Sequence, residues 1–209
     1  MPEFYHDLIT EKSFKILQEL KGKFNFILIG GWAIFIYAKN LKSKDIDIII
    51  DYDQLAVLKR KFEIFKNERL KKYEIKNEDI DIDIYLPHFS EIAIPVEDII
   101  SNYSHNVEGF SVPMPEALLV LKLYAFSSRQ GSNKGKKDLI DIFSLLSIGI
   151  IDWKRYKSII KKYNLQELGQ ELIKIVSLQR AVPELNLSDY KIAQLRKSIL
   201  KSLDYNKYA

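Results

Sequence analysis

A chain of 209 residues, 47% apolar and 29% charged, is long enough for one large domain or two small ones, and its balance excludes a mainly disordered protein. The absence of cysteine excludes disulfides and thiolate chemistry. No apolar run approaches the roughly 20 residues that cross a bilayer, and the start, MPEFYHDLITEKSF, lacks a basic block followed by an apolar one, so the expectation is a cytoplasmic protein with no membrane partner. The net charge of +4 is unevenly spread. Residues 1–109 hold 15 Lys/Arg against 19 Asp/Glu, a net of −4, and residues 110–209 hold 17 against 9, a net of +8. An acidic half suits cations and a basic half suits phosphates or a nucleic-acid backbone, although lysines on helix faces often do no more than solvate them.

In chain order, DLITEKSFKILQELKGK reads as an amphipathic helix, with apolar residues at helical spacing and glycine near its end. FNFILIG reads as a short buried strand and GWAIFIYAKNL as a buried helix starting on glycine. DIDIIIDY is a second strand, DQLAVLKRKFEIF a helix with a basic outer face, and KKYEIKNEDIDIDIYLP a hairpin turning at KNED and ended by Pro87. EIAIP and VEGFSVPMP add strand-like pieces, with Gly109 at a turn or bulge. From Pro115 the pattern becomes helical. PEALLVLKLYAFSSRQ is followed by a polar loop, GSNKGKK, and then by DLIDIFSLLSIG, IDWKRYKSIIKKY, LQELGQELIKIVSLQ and LSDYKIAQLRKSILKSL. The expected architecture is α+β: a small mixed sheet flanked by helices over residues 1–112, then a helical bundle over residues 113–209.

The second strand carries the chemistry. Asp45 and Asp47 alternate with isoleucines, so an extended strand points both carboxylates to one face with Cα atoms about 6.6–6.8 Å apart. Like charges so close raise each other's pKa unless a cation or water answers them. In EDIDIDIYLP, Asp79, Asp81 and Asp83 share a face while Ile80, Ile82 and Ile84 share the other. One such strand is an ordinary edge strand with a wet side. Two in one small sheet gather carboxylates, and hard divalent ions take oxygen ligands. Three carboxylates from neighbouring strands suit two ions about 3.5–4 Å apart, the arrangement used in nucleotidyl transfer. Gly30 and Gly31, between a buried strand and a helix, let a phosphate approach the backbone N–H groups, although close backbone packing also calls for glycine.

These residues carry a resemblance. IGGWAIFIYAKNLKSKDIDIII resembles the signature of the DNA polymerase β-type nucleotidyltransferase superfamily, in which an apolar strand, a glycine pair and a helix precede Asp-x-Asp. The third carboxylate of that pattern comes from a later strand; here it corresponds to Asp83, with Asp81 the alternate on the same face. PEALLVLKLYAFSSRQGSNKGKKDLIDIFSLL is similar to the segment after the core in AbiEii-like nucleotidyltransferases, the toxin group of abortive-infection systems. The similarity covers residues 24–147. It implies Mg²⁺ or Mn²⁺ held by Asp45, Asp47 and Asp83, phosphates held by Gly30 and Gly31, and triphosphate charge met by Lys122, Arg129 and Lys137. It also implies that Asp138, paired in the motif with Asp141, is an active-site carboxylate, and that the helical half completes the active site. Without the resemblance, Lys122 reads as a snorkelling lysine and Asp138 as a helix cap.

The expected activity is transfer of an NMP from an NTP such as ATP to an acceptor hydroxyl, with pyrophosphate released. RNA or tRNA is the expected acceptor, in a toxin–antitoxin or phage-defence setting with a cognate antitoxin protein as partner. Two alternatives stay open: an aminoglycoside-type enzyme with a small-molecule acceptor, and a non-catalytic nucleotide-binding or regulatory module. WKRYKSIIKKY interleaves aromatic and basic residues and could line a nucleic-acid groove, though such helices more often turn their aromatics inward. The three histidines have no metal-ligand spacing.

Overall fold

A computed structural model of the chain describes residues 7–76 and 80–204. These divide into two compact units, one up to Met114 and one from Pro115 onward. Asp79 and most of the KNED turn lie outside the described residues.

The first unit begins with helix α1 (Asp7–Lys21), which turns Leu17 and Leu20 into the core. Strand β1 (Ile27–Ile29) is wholly buried and runs into helix α2 (Gly30–Ala38), apolar on every side because it is covered on every side. Trp32 anchors this layer: it is fully buried, donates from Nε1 to Ser13 Oγ at 2.9 Å and stacks near Phe14 and Phe35. Lys39, in the left-handed region at φ 53°, ends the helix.

Strand β2 (Ile46–Ile49) and helix α3 (Tyr52–Lys59) follow, the latter capped by Asp51, whose carboxylate accepts from the Gln54 N–H. Next come β3 (Phe65–Asn67), β4 (Lys72–Lys76), β5 (Asp81–Tyr85), α4 (Val96–Asn102), β6 (Ser104–Val107) and β7 (Phe110–Pro113). Among the described residues the strands form one seven-stranded mixed sheet in the order β3-β4-β5-β2-β1-β7-β6. The β2–β5 and β1–β7 pairs are parallel and the rest antiparallel. The α+β expectation with a mixed sheet is met.

Three local expectations are corrected. The basic helix stops at Lys59, and Phe65, expected at its end, starts the edge strand β3. EIAIP is not a strand; its Pro95 instead stands as the cap of α4, whose seven residues are too few for helical periodicity to register. Asp45 lies in a bend just before β2, so the strand spacing expected between it and Asp47 does not apply.

The second unit contains α5 (Pro115–Ser128), α6 (Asn133–Ser147), α7 (Trp153–Lys162), α8 (Gln166–Leu178), a 3₁₀ turn (Pro183–Leu185) and α9 (Asp189–Ser202). Helix α6 starts inside the segment read as a polar loop. Ser132 is its cap, its Oγ accepting from the Gly135 N–H at 3.0 Å, so Asp138 lies inside the helix and is not a cap. Gly135 is required there, since a Cβ would stand 2.3 Å from the Arg129 carbonyl oxygen. Among the described residues, no helix is long and apolar enough to cross a membrane.

Candidate functional site

Sheet register assembles the first cluster. Asp47 on β2 is directly opposite Asp83 on β5, and Asp83 is directly opposite Glu74 on β4. Residues in register share a face, so the three acidic residues form a row across three strands, with backbones about 4.8 Å from one strand to the next. Their neighbours Ile46, Ile48, Ile82 and Ile84 take the other, buried face. Asp81 is exposed and pairs in register with Lys76, away from Asp47.

The end of the row at Asp47 abuts the glycine turn. A Cβ on Gly30 would lie 2.0 Å from Asp47 Oδ2, and Gly30 has φ +68°. Glycine is needed there on both counts: it admits the carboxylate and adopts the left-handed backbone at the start of α2. Gly31, the next residue, is buried inside that helix.

Lys72, two residues before Glu74 and on the same face of β4, spans the other end. Its Nζ donates to Asp83 Oδ2 at 2.6 Å and lies 2.9 Å from Glu74 Oε1, with only 12% of the side chain exposed. Asn67 Nδ2 donates to the same Glu74 oxygen at 3.3 Å. Burial pushes the Asp83 carboxyl up, the neighbouring Asp47 pushes it further, and the Lys72 ammonium only partly offsets them, leaving it at about 6. Burial works against the Lys72 charge, but hydrogen bonding to Asp83 and Glu74 outweighs it and holds the ammonium above the usual lysine range. The Lys72 contact holds Glu74 below the usual carboxylate range.

Mg²⁺ commonly uses one or two protein carboxylates and completes its shell with water and substrate phosphate. Asp47 and Asp83 fit that role: they are hard oxygen donors, adjacent in register, and their repulsion favours a shared cation. Among the described residues, no group of three or more acidic or histidine side chains is drawn together closely enough to hold an ion, and Asp45 stands half-buried in its bend.

The second cluster belongs to the helical unit. Lys122 on α5 and Asp138 and Asp141 on α6 are buried, at 7%, 1% and 1% exposure. Lys122 Nζ donates to Asp141 Oδ2 at 2.6 Å and lies 3.4 Å from Asp138 Oδ1. Arg129 grips Asp138 with two bonds, Nε to Oδ2 at 2.6 Å and Nη2 to Oδ1 at 2.8 Å. Lys137 Nζ lies 3.7 Å from Asp141, one helical turn away. Burial opposes ionisation of Asp141, but Lys122 and Lys137 prevail and hold it below the usual range. The two carboxylates are nearly dry, while the Arg129 side chain keeps 39% of its surface exposed.

The sequence reading singled out Asp47, Asp83 and the helical-cluster residues but missed Lys72 and Glu74. Their signal was present: the alternation of KYEIK puts Lys72, Glu74 and Lys76 on one face of β4. On α7, Tyr156 is buried with its hydroxyl pushed up by desolvation, so it is packed inward rather than offered to a base.

The fold is that of nucleotidyltransferase-like proteins. A candidate nucleotidyltransferase from H. pylori aligns at 16% identity over 97% of this chain and 98% of its own, with a TM-score of 0.51. ANT(2")-Ia, solved in complex with adenylyl-2"-tobramycin, aligns at 14% identity over 76% of this chain and 98% of its own, with a TM-score of 0.53. JHP933 from Helicobacter pylori aligns at 15% identity over 96% and 94%, with a TM-score of 0.49. No family model and no curated protein matches the sequence.

Proposed function

We propose that the chain is a divalent-metal-dependent nucleotidyltransferase that moves an NMP from an NTP to an acceptor hydroxyl on RNA. The observation that carries this reading is the opposed pair Asp47–Asp83, with Gly30 cut back to admit the Asp47 carboxylate. Asp47 and Asp83 would hold Mg²⁺ or Mn²⁺, with Asp45 the nearest further carboxylate in sequence. The bound ion supplies charge neutralisation at the phosphates and a lowered pKa for the attacking hydroxyl.

The chain's own residues then have distinct tasks. Gly30 and Gly31 start a helix, and the positive end of its dipole favours phosphate. Asp83 would help activate the acceptor hydroxyl through the ion it holds, which lowers that hydroxyl's pKa. By the resemblance to AbiEii-like enzymes, Lys122, Arg129 and Lys137 meet triphosphate charge and Asp138 is an active-site carboxylate. An RNA acceptor is favoured over a small molecule by the +8 balance of residues 110–209. A cognate antitoxin rests on the resemblance alone.

The test uses purified protein, Mg²⁺, each of four α-labelled NTPs and total cellular RNA, with Asp47→Asn as control. Labelled RNA from wild type alone is the expected result. Label on an aminoglycoside such as tobramycin, but not on RNA, would move the acceptor to a small molecule. No Mg²⁺-dependent NTP binding by calorimetry would leave the non-catalytic module.

A further inference from the structure

The row Glu74–Asp83–Asp47 already contains a cation, and it is not a metal. Lys72 lies between Glu74 and Asp83, nearly buried, closer to Asp83 (2.6 Å) than to Glu74 (2.9 Å). The ammonium on Oδ2 of Asp83 takes one of that carboxylate's lone-pair sites and, as a like charge, opposes a divalent ion drawn to Asp83 and Asp47. The two cations cannot share that oxygen closely, since like charges repel strongly where water is scarce.

We infer that Lys72 is a built-in cation that holds Asp83 in the metal-free protein and opposes a divalent ion at Asp47 and Asp83 until it shifts towards Glu74. This inference rests on the metal-binding reading of the same site and adds an order of events to it. Glu74 gives the displaced ammonium a place to stay: it is within reach of the same Nζ, and Asn67 braces it. A free ion has to drive out the lysine unaided and binds weakly. An ion arriving with a triphosphate brings further contacts that meet the cost of displacement, so metal and nucleotide enter together. Lys72 is thus a positioning residue acting through Asp83.

The experiment measures Mn²⁺ binding without nucleotide, by electron paramagnetic resonance of free Mn²⁺ and by metal-dependent thermal shift. The proteins are wild type, Lys72→Met, Lys72→Gln, Lys72→Arg, Lys71→Met and Asp47→Asn, each checked for fold by circular dichroism. The neutral variants Lys72→Met and Lys72→Gln should bind Mn²⁺ about tenfold more tightly than wild type, the scale of one lost competing contact. Their thermal gain on adding Mn²⁺ should rise accordingly, because a ligand stabilises in proportion to the logarithm of its occupancy. Lys72→Arg, which keeps the charge and can grip with two donors, should bind no better than wild type. Lys71→Met removes the same charge from the next residue, whose ammonium faces Glu68, and should leave binding unchanged.

Equal tightening in Lys71→Met and Lys72→Met would reduce the effect to general field and overturn the inference. Wild-type Mn²⁺ binding that depends on Asp47 but does not tighten in either neutral variant overturns the inference alone. No Asp47-dependent binding in wild type and none in the neutral variants overturns the metal-binding reading with it. If Lys72→Met misfolds, Lys72→Gln, which keeps hydrogen-bonding capacity, carries the test.

Discussion

In the sheet, the row of Glu74, Asp83 and Asp47 holds one ammonium, that of Lys72, against Asp83 and Glu74; in the helical unit, Asp138 and Asp141 stand among Lys122, Arg129 and Lys137. The first cluster is two charges short of neutral and partly open to water, and its central carboxyl is pushed up to about 6. The second is nearly dry at its carboxylates and holds Asp141 below the usual range. Charge balance and burial set the two apart: the first gathers three carboxylates around one ammonium, while the second buries two carboxylates among cations.

The difference can be broken first at its carboxylates. Asp141→Asn should cost about 3–5 kcal/mol of unfolding free energy, because it strips a buried ammonium of its closest partner. Asp47→Asn, which relieves repulsion on Asp83, should leave stability unchanged or slightly raised while abolishing transfer. Denaturant titration of both variants in one buffer checks the contrast, and equal losses would erase it.

Gly30→Ala sharpens the comparison from the backbone side. The new methyl would meet the Asp47 carboxylate at 2.0 Å on a residue with φ +68°, so the side chain must swing away and the backbone is strained. A loss of about 1–2 kcal/mol is expected from the left-handed conformation alone. Metal binding should fall with it.

Acidity separates the clusters by sign. Asp83 has a folded pKa raised to about 6 from an ordinary 3.8, so the folded state binds more protons between those values. Its contribution to stability is therefore present below about 3.8 and lost as pH rises towards 6. Asp141 is depressed, so its contribution is present above 3.8 and lost as pH falls through its lower folded value. Melts from pH 4 to 7 should show a downward component that flattens in Asp83→Asn and survives in Asp141→Asn. The smallest effect belongs to the cap of α6: Ser132→Ala should cost about 1 kcal/mol, readable as a small drop in melting temperature.

Much of this architecture was legible in the sequence. The alternation of DIDIY and the apolar run of β2 identified two central strands, and helical spacing with Pro115 identified α5. What escaped was nonlocal or short. Helix α4 has only seven residues, too few for helical periodicity to register, and it follows EIAIP, whose isoleucines read as strand-like. The start of α6 was hidden because lysines and Gly135 look like a loop until the Ser132 cap and the close Arg129 carbonyl are seen. Asp83 could not be separated from Asp81 by parity; the parallel register with β2 places Asp83, not Asp81, opposite Asp47. The Glu74–Lys72 arm needed the same knowledge from the other side, since it depends on which strand lies beside β5.

The alignment of β5 has a consequence for how faithfully this site can be made. Sliding β5 by one residue along β2 would turn Asp81 and Asp83 into the apolar layer now filled by Ile82 and Ile84, and turn those isoleucines out to water. Burying two carboxylates in that layer is prohibitive, so the hydrophobic core acts as a proofreader for the carboxylate row. A chain that misaligns the row loses its apolar layer and fails to fold. Insertions of a single residue between β4 and β5 should therefore be tolerated only when the loop absorbs them, and every folded molecule carries Asp47 and Asp83 face to face.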